Sequence, residues 1–139
     1  MEQANIHWLI ENRIIYVKRP STVSIENLTQ DSEQIIALLE AGNAPIHIIN
    51  DALDVSMNPN NALLIRKATP FLDNPNLGWF ITITANPIIS FLGSIIPQMR
   101  MNNSSNVKIV KTSDEALKFL RKHDPSINWD TMNESQQIS

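Results

Sequence analysis

The sequence contains no cysteine, and that absence removes several kinds of chemistry at once. A chain without thiols has no disulfide, no thiolate nucleophile and no typical structural zinc site. Glycine is scarce as well, with three residues in the chain, and none lies in a glycine-rich loop of the kind that binds phosphates or dinucleotides. The lack of cysteine is compatible with a reducing compartment, so we expect a cytoplasmic protein.

Charge and long apolar runs are also scarce. Charged residues make up 18% of the chain, the net charge is −3, and the pI is about 5.5. Lysine and arginine are dispersed, whereas phosphate contacts need them clustered. The longest uncharged apolar segment, residues 87–99, is too short to span a bilayer, and the N-terminal apolar run soon reaches Glu11 and Arg13, unlike a signal peptide. We therefore expect neither a nucleic-acid partner nor a membrane span.

No catalytic or metal-binding motif is present among the histidines and serines. His7, His47 and His123 are far apart in the sequence, without the His-x-x-x-His spacing of a zinc site. No serine lies in a Gly-x-Ser-x-Gly elbow, which argues against a Ser/His/Asp hydrolase. His47 falls in an apolar strand, where we expect it to be hydrogen-bonded in the core. These observations predict a non-enzymatic protein without metal or cofactor.

Alternating strand and helix patterns fill the length of one domain. The 139 residues suffice for a single core. Residues 5–18 read as a hairpin with its turn at Glu11 and Asn12, and the apolar runs at 45–50, 77–84 and 107–111 read as further strands separated by helical patterns. The predicted order is ββαβαβαβα, an α/β fold in which a mostly parallel sheet follows an N-terminal hairpin.

Capping residues mark where the helices begin. The predicted N-caps are Ser24, Asn58, Asn86 and Thr112. Pro59 and Pro87 follow two of these caps, at the helix position where a missing N–H costs nothing. Pro70 should end the second helix, so that Phe71 and Leu72 form a separate turn.

This order of elements, together with the segments NLGWFITITANP and TSDEALKFL, resembles the STAS domain, the fold of anti-sigma-factor antagonists. The resemblance covers residues 5–123 and leaves residues 124–139 as a polar tail. Within that fold, the chain resembles a group of bacterial stand-alone STAS-like proteins of unassigned function. The resemblance implies a non-enzymatic protein that works by contact in a signalling pathway, with an anti-sigma-type kinase as its implied partner.

A polar loop after the third predicted strand is the candidate switch or partner loop. Its candidate residues are Asp51, Asp54, Ser56 and Asn58. In antagonists of this family a strand-end Asp precedes an Asp-Ser-Ser-Gly-like run whose serine is phosphorylated. Asp51 matches that Asp, but this chain has DVSMNPNNAL where the phosphoacceptor run belongs, so we expect no family-type phosphorylation of Ser56. Ordinary capping and turn chemistry is preferred over a ligand site here, and solvated loop carboxylates over an acid–base pair.

The third predicted helix carries no charge between Asn86 and Met99. Small residues lie opposite its apolar stripe, namely Ser90, Gly93, Ser94 and Pro97. Exposed helix faces normally carry charge, so this face should be covered, and small residues let another backbone approach closely. Coverage by the chain's own tail or loops and an interface with a partner or a second subunit, as in a homodimer, both stay open.

Two functions from different classes follow. The first is a STAS-like interaction or regulatory module that binds a protein partner or itself. The second is a small-molecule or lipid-binding sensor whose apolar cavity would be lined by Trp79, Phe80, Phe91 and Leu92.

Overall fold

The computed structural model describes residues 3–97 and 106–132. Within these ranges the chain forms five strands and four α-helices, which confirms the predicted α/β class. The strands are β1 (Asn5–Ile10), β2 (Ile14–Lys18), β3 (Ile46–Asp51), β4 (Leu77–Ile83) and β5 (Asn106–Val110). The helices are α1 (Ile25–Ala41), α2 (Ala62–Ala68), α3 (Pro87–Ile95) and α4 (Ser113–His123), and two 3-10 turns span Pro70–Asp73 and Trp129–Thr131.

The strands form one mixed sheet in the order β1-β2-β3-β4-β5. β1 and β2 pair antiparallel, and every later pairing is parallel. Asn12, in the hairpin turn, has a φ of 69°, a left-handed conformation that asparagine adopts more readily than most residues. Because β2 to β5 run in one direction, their carboxyl ends share one edge of the sheet, which we call the carboxyl edge.

Each face of the sheet has its own hydrophobic core. Ile48 and Phe80 belong to the core that also contains residues of α1, α2 and α3. Ile49 and Ile81 belong to the other core, together with Leu120 of α4. Neighbouring strand residues thus enter different cores, since successive side chains point to opposite faces.

The predicted caps of α1, α3 and α4 are confirmed, but the predicted start of α2 is wrong. Asn61 caps α2, and its Oδ1 accepts a hydrogen bond from Leu64 N–H at 3.2 Å. Asn58 instead donates through Nδ2 to the carbonyl of Pro59 at 2.7 Å. The backbone of Met57 is hydrogen-bonded to the segment 21–23, which holds the chain in extended loop geometry past Pro59 and delays the helix.

Pro70 ends the second helix as predicted. α2 stops at Ala68, and Pro70 opens a 3-10 turn in which Phe71 and Leu72 are buried. The N–H of Phe71 donates to the buried hydroxyl of Ser32 in α1 at 3.2 Å. The turn is therefore fixed to α1 by a hydrogen bond as well as by apolar packing.

Residues 124–132, which the sequence placed in a polar tail, pack against the second core. Ile127 is 5% exposed and belongs to that core. Trp129 contacts the same cluster, and its ring lies 5.0 Å from the guanidinium carbon of Arg121. This segment covers part of the sheet face that α4 leaves open.

Candidate functional site

Asp51 lies at the carboxyl edge, where β3 ends, and its carboxylate is fully engaged by protein groups. The residue is 1% exposed. Tyr16 donates its hydroxyl to Oδ2, and the N–H of Leu53 donates to Oδ1 at 3.1 Å. Lys18 Nζ lies 3.4 Å from Oδ2. These contacts describe a carboxylate that joins β2, β3 and the following loop.

Lys18 lies between the two carboxylates of the predicted loop. Its Nζ is 3.3 Å from Oδ2 of Asp54, which is exposed. Burial lowers the pKa of Lys18, but the carboxylates of Asp51 and Asp54 outweigh burial and raise it. Burial and the hydrogen bond to Asp51 both raise the pKa of Tyr16 well above its ordinary value. The cluster is thus a cation held between two anions, with a phenol that stays neutral.

Ser56 and Asn58 lie farther along the same loop. Ser56 is exposed, and its hydroxyl donates to the carbonyl of Ser21 at 3.2 Å. Its N–H also donates to that carbonyl, at 2.8 Å. The structure therefore places all four predicted loop residues near the carboxyl edge but gives a shared partner, Lys18, to Asp51 and Asp54 alone of the four.

A cavity of about 90 Å³ opens at this edge, beneath α3. Phe80 and Leu92 line it, as expected for the predicted apolar cavity. Trp79 points to the opposite face of the sheet, where its ring centroid is 4.7 Å from that of Phe119. Phe91 is 60% exposed and is not among the lining residues. The prediction is thus right for two of the four residues. Trp79 is excluded because adjacent residues of a strand point to opposite faces of the sheet, and Phe91 is excluded because α3 turns its side chain toward solvent.

Arg19 brings a buried charge to the wall of this cavity. It is 6% exposed, its Nε donates to Oδ1 of Asn50 at 2.8 Å, and its Nη1 donates to Oδ2 of Asp31 at 3.0 Å. Burial lowers the pKa of Arg19 and raises that of Asp31, in both cases against the attraction between the two charges. The pair therefore does not fully recover the cost of removing its charges from water.

The structure places the small residues of α3, which the sequence predicted on one covered face, in two different environments. Gly93 faces the chain's own sheet, and a Cβ there would lie 3.1 Å from Cδ1 of Ile109. Pro97 is buried, while Ser90 and Ser94 are half-buried. α3 approaches β5 closely here, so a larger residue would require the side chain of Ile109 to shift by a few tenths of an ångström. The interface assigned to Ser90, Gly93, Ser94 and Pro97 stays a prediction for the two serines, and the other two residues face inward.

Apolar side chains are exposed along the carboxyl edge instead. Within residues 3–97 and 106–132, every large hydrophobic side chain that is exposed lies on a segment following β3 or β4. We call this set the apolar rim: Leu53, Met57, Leu63, Leu64, Ile88 and Phe91. The helices α2 and α3 follow β3 and β4, so Leu63, Leu64 and Ile88 lie in their first turns. None of the six rim residues lines the cavity.

Sequence reasoning missed a buried cluster at the opposite edge of the sheet. His47 Nε2 is 2.7 Å from Oδ2 of Asp124, although the two residues are 77 positions apart. Arg13 donates through Nη2 to the same oxygen at 2.9 Å, and Ser126 N–H donates to Oδ1 at 3.1 Å. Asp124 was assigned to a polar tail, and no local signal in the sequence links it to His47.

The hydrogen bonds of His47 define its tautomer and its role. The backbone N–H of Trp79 donates to Nδ1 of His47 at 2.9 Å. The proton of the imidazole ring is therefore on Nε2, which donates it to Asp124. Burial lowers the pKa of His47, although its hydrogen bond to Asp124 opposes the shift. Since both ring nitrogens are occupied by protein groups, the ring has no nitrogen left for a substrate. The cluster is an internal link between β3, β4 and the C-terminal segment.

Residues 3–97 and 106–132 contain no group of three or more His, Asp or Glu side chains that could hold a metal ion. No helix in these ranges is long and apolar enough to cross a membrane.

Comparison of the chain with known protein families, with curated proteins and with solved structures gave no match.

Proposed function

We propose that the chain is a non-enzymatic, STAS-like interaction module that docks a protein partner on its carboxyl edge. The observation that carries this proposal is the apolar rim, which collects the exposed large hydrophobic side chains of the described residues at one edge. Isolated exposed apolar residues are ordinary, but a group of them at one edge is typical of an interaction site.

The resemblance to anti-sigma-factor antagonists supports a partner at this edge. In that family the loop after the strand-end Asp contacts an anti-sigma-type kinase, and the corresponding loop here carries Leu53 and Met57 of the rim. Its backbone is fixed by hydrogen bonds to the segment 21–23. A rigid loop loses less conformational entropy when it binds, so a preformed rim favours association. A kinase of this type is therefore the first partner to test.

Site-specific photo-crosslinking in the producing cells tests this proposal. A photoreactive benzoyl-phenylalanine replaces Phe91 of the rim, and in a matched control it replaces Lys118, which is exposed on α4 at the other face of the sheet. We expect one discrete protein adduct from position 91 and none from position 118, with mass spectrometry identifying the partner. The substitution Leu64→Glu should abolish the adduct because it places a charge in the rim, while circular dichroism should show an intact fold.

Two results would contradict a heterologous partner. Equal labelling from positions 91 and 118 would mean that the rim is not a docking surface. An adduct that contains two copies of this chain would replace the outside partner by a homodimer.

The cavity supports a second candidate function, a small-molecule sensor. Its lining is mostly apolar, and it opens beside the rim at the carboxyl edge, where open α/β sheets usually bind ligands. Native mass spectrometry of the purified protein separates the two functions. A retained small-molecule adduct supports the sensor, whereas ligand-free protein that binds its partner supports the module.

A further inference from the structure

The cavity beneath α3 combines an apolar wall with a polar end. Leu92, Ile96 and Phe80 contribute apolar surface, while Arg19, Asn50 and Thr82 contribute polar groups from the ends of β2, β3 and β4. The side-chain nitrogen of Asn50 is 3.4 Å from Oγ1 of Thr82, a long and weak contact. A ligand that fits this lining needs an apolar body and one polar head.

The positive charge of Arg19 at the polar end favours a ligand whose polar head is negatively charged. The guanidinium of Arg19 has five N–H donors, and the hydrogen bonds to Asn50 and Asp31 use two of them. These two bonds run through Nε and Nη1, and the contact with Asp31 is monodentate. Guanidinium groups prefer planar, two-point contacts with carboxylates. Asp31 already supplies one negative charge, so a monoanion fits better than a phosphate dianion.

The volume limits the length of the apolar body. The cavity of about 90 Å³ is smaller than an engineered apolar cavity of about 150 Å³ that holds benzene. A carboxyl group with a chain of a few carbons therefore fills the space, and a longer chain has to extend out of the cavity.

We propose that this cavity binds a short-chain monocarboxylic acid, with the carboxylate at Arg19 and Asn50 and the alkyl chain against Leu92, Ile96 and Phe80. This inference rests on the sensor function and adds the chemical class of its ligand. Binding pairs the guanidinium with a second carboxylate and buries the chain beneath α3.

Isothermal titration calorimetry with acetate, propionate, butyrate, isovalerate and octanoate at constant ionic strength tests the ligand class. Affinity should rise from acetate to butyrate or isovalerate as apolar surface is buried, then fall for octanoate. Butyramide, which has the same shape as butyrate without the charge, should bind at least tenfold more weakly. Equal affinity of butyrate and butyramide would overturn the carboxylate assignment while leaving an apolar ligand site.

Three variants test the role of Arg19. Arg19→Met should weaken butyrate binding at least tenfold, and Asp31→Asn should strengthen it severalfold because it removes the competing carboxylate. Arg66→Met is the matched control, since Arg66 is a part-buried arginine paired with Asp73 that does not line the cavity, and it should bind as the wild type does.

The outcomes separate the ligand class from the sensor function. If Arg19→Met fails to fold, the amide comparison and the response of Asp31→Asn decide the assignment. Weaker binding in Asp31→Asn would contradict the proposed headgroup contact. The absence of binding by any of the acids or the amide at millimolar concentration would overturn the ligand class, whereas the sensor function would fall only if native mass spectrometry also showed no retained small molecule.

Discussion

At the scale of single residues, His47 is a buried polar group whose two ring nitrogens are both engaged by the protein. One ring nitrogen accepts from the backbone of β4 and the other donates to Asp124. Gly78 makes room for the ring, because a Cβ at that position would lie 2.6 Å from Nδ1 of His47. The imidazole is therefore held in its neutral form, and a side chain at position 78 would collide with it.

The first prediction concerns the pH dependence of stability. Burial lowers the pKa of His47 in the folded protein, so between that pKa and the ordinary value near 6.5 the unfolded state binds a proton that the folded state does not. The free energy of unfolding should be highest above pH ~7 and should fall on acidification below ~6.5, by at most about 1.4 kcal/mol for each unit of lowered pKa. Urea titrations from pH 7.5 to 5.5 measure this decline.

His47→Gln is the control, because glutamine does not titrate. The variant should be less stable throughout but should lack the decline assigned to His47. Two charged groups, Asp124 and Arg13, also face this ring. Burial opposes the shift, but hydrogen bonds from Ser126 and His47 lower the pKa of Asp124, so its titration lies below this pH range. The same slope in both proteins would show that another group causes the decline.

At the scale of elements, α2 shows how a loop can decide where a helix begins. The helix has seven residues and is capped by Asn61, although Asn58-Pro59 is the stronger sequence signal. Helices this short are marginal on their own. Hydrogen bonds between Ser56, Met57 and the segment 21–23 determine where α2 begins, and Pro70 determines where it ends.

The second prediction compares the two asparagines. Asn61→Ala should lower the free energy of unfolding by roughly 0.5–2 kcal/mol, because it removes the acceptor for Leu64 N–H. Asn58→Ala should change it by about 0.5 kcal/mol or less, as expected for an exposed residue without a capping role. Urea denaturation followed by circular dichroism measures both, and a larger loss in Asn58→Ala would contradict the observed cap.

At the scale of the whole molecule, the two faces of the sheet are covered unequally. Three helices contribute to one core, whereas α4 and residues 124–132 contribute to the other. Residues 124–132 are thus part of the core. Their contacts with His47 and Arg13 join them to the edge of the sheet opposite the carboxyl edge.

The third prediction measures what that segment contributes. Ile127→Ala should lower the free energy of unfolding by roughly 2–5 kcal/mol, because a buried side chain is removed and leaves a cavity. Ile88→Ala is the matched control, since Ile88 is 64% exposed, and it should change stability by about 0.5 kcal/mol or less. Equal effects of the two substitutions would mean that residues 124–132 do not stabilise the fold.

Features that depend on neighbouring residues could be predicted from the sequence. The alternation of strands and helices, the caps at Ser24, Asn86 and Thr112, and the break at Pro70 follow from local propensities and hydrogen bonds. The face of a helix that packs inward could not be predicted in the same way. A periodic pattern of apolar residues distinguishes two faces of a helix but does not identify the elements that cover them. Tertiary structure alone turned Gly93 toward β5, brought Asp124 to His47 across 77 residues and placed Arg19 beside an apolar cavity, since such contacts depend on the order in which the strands pair.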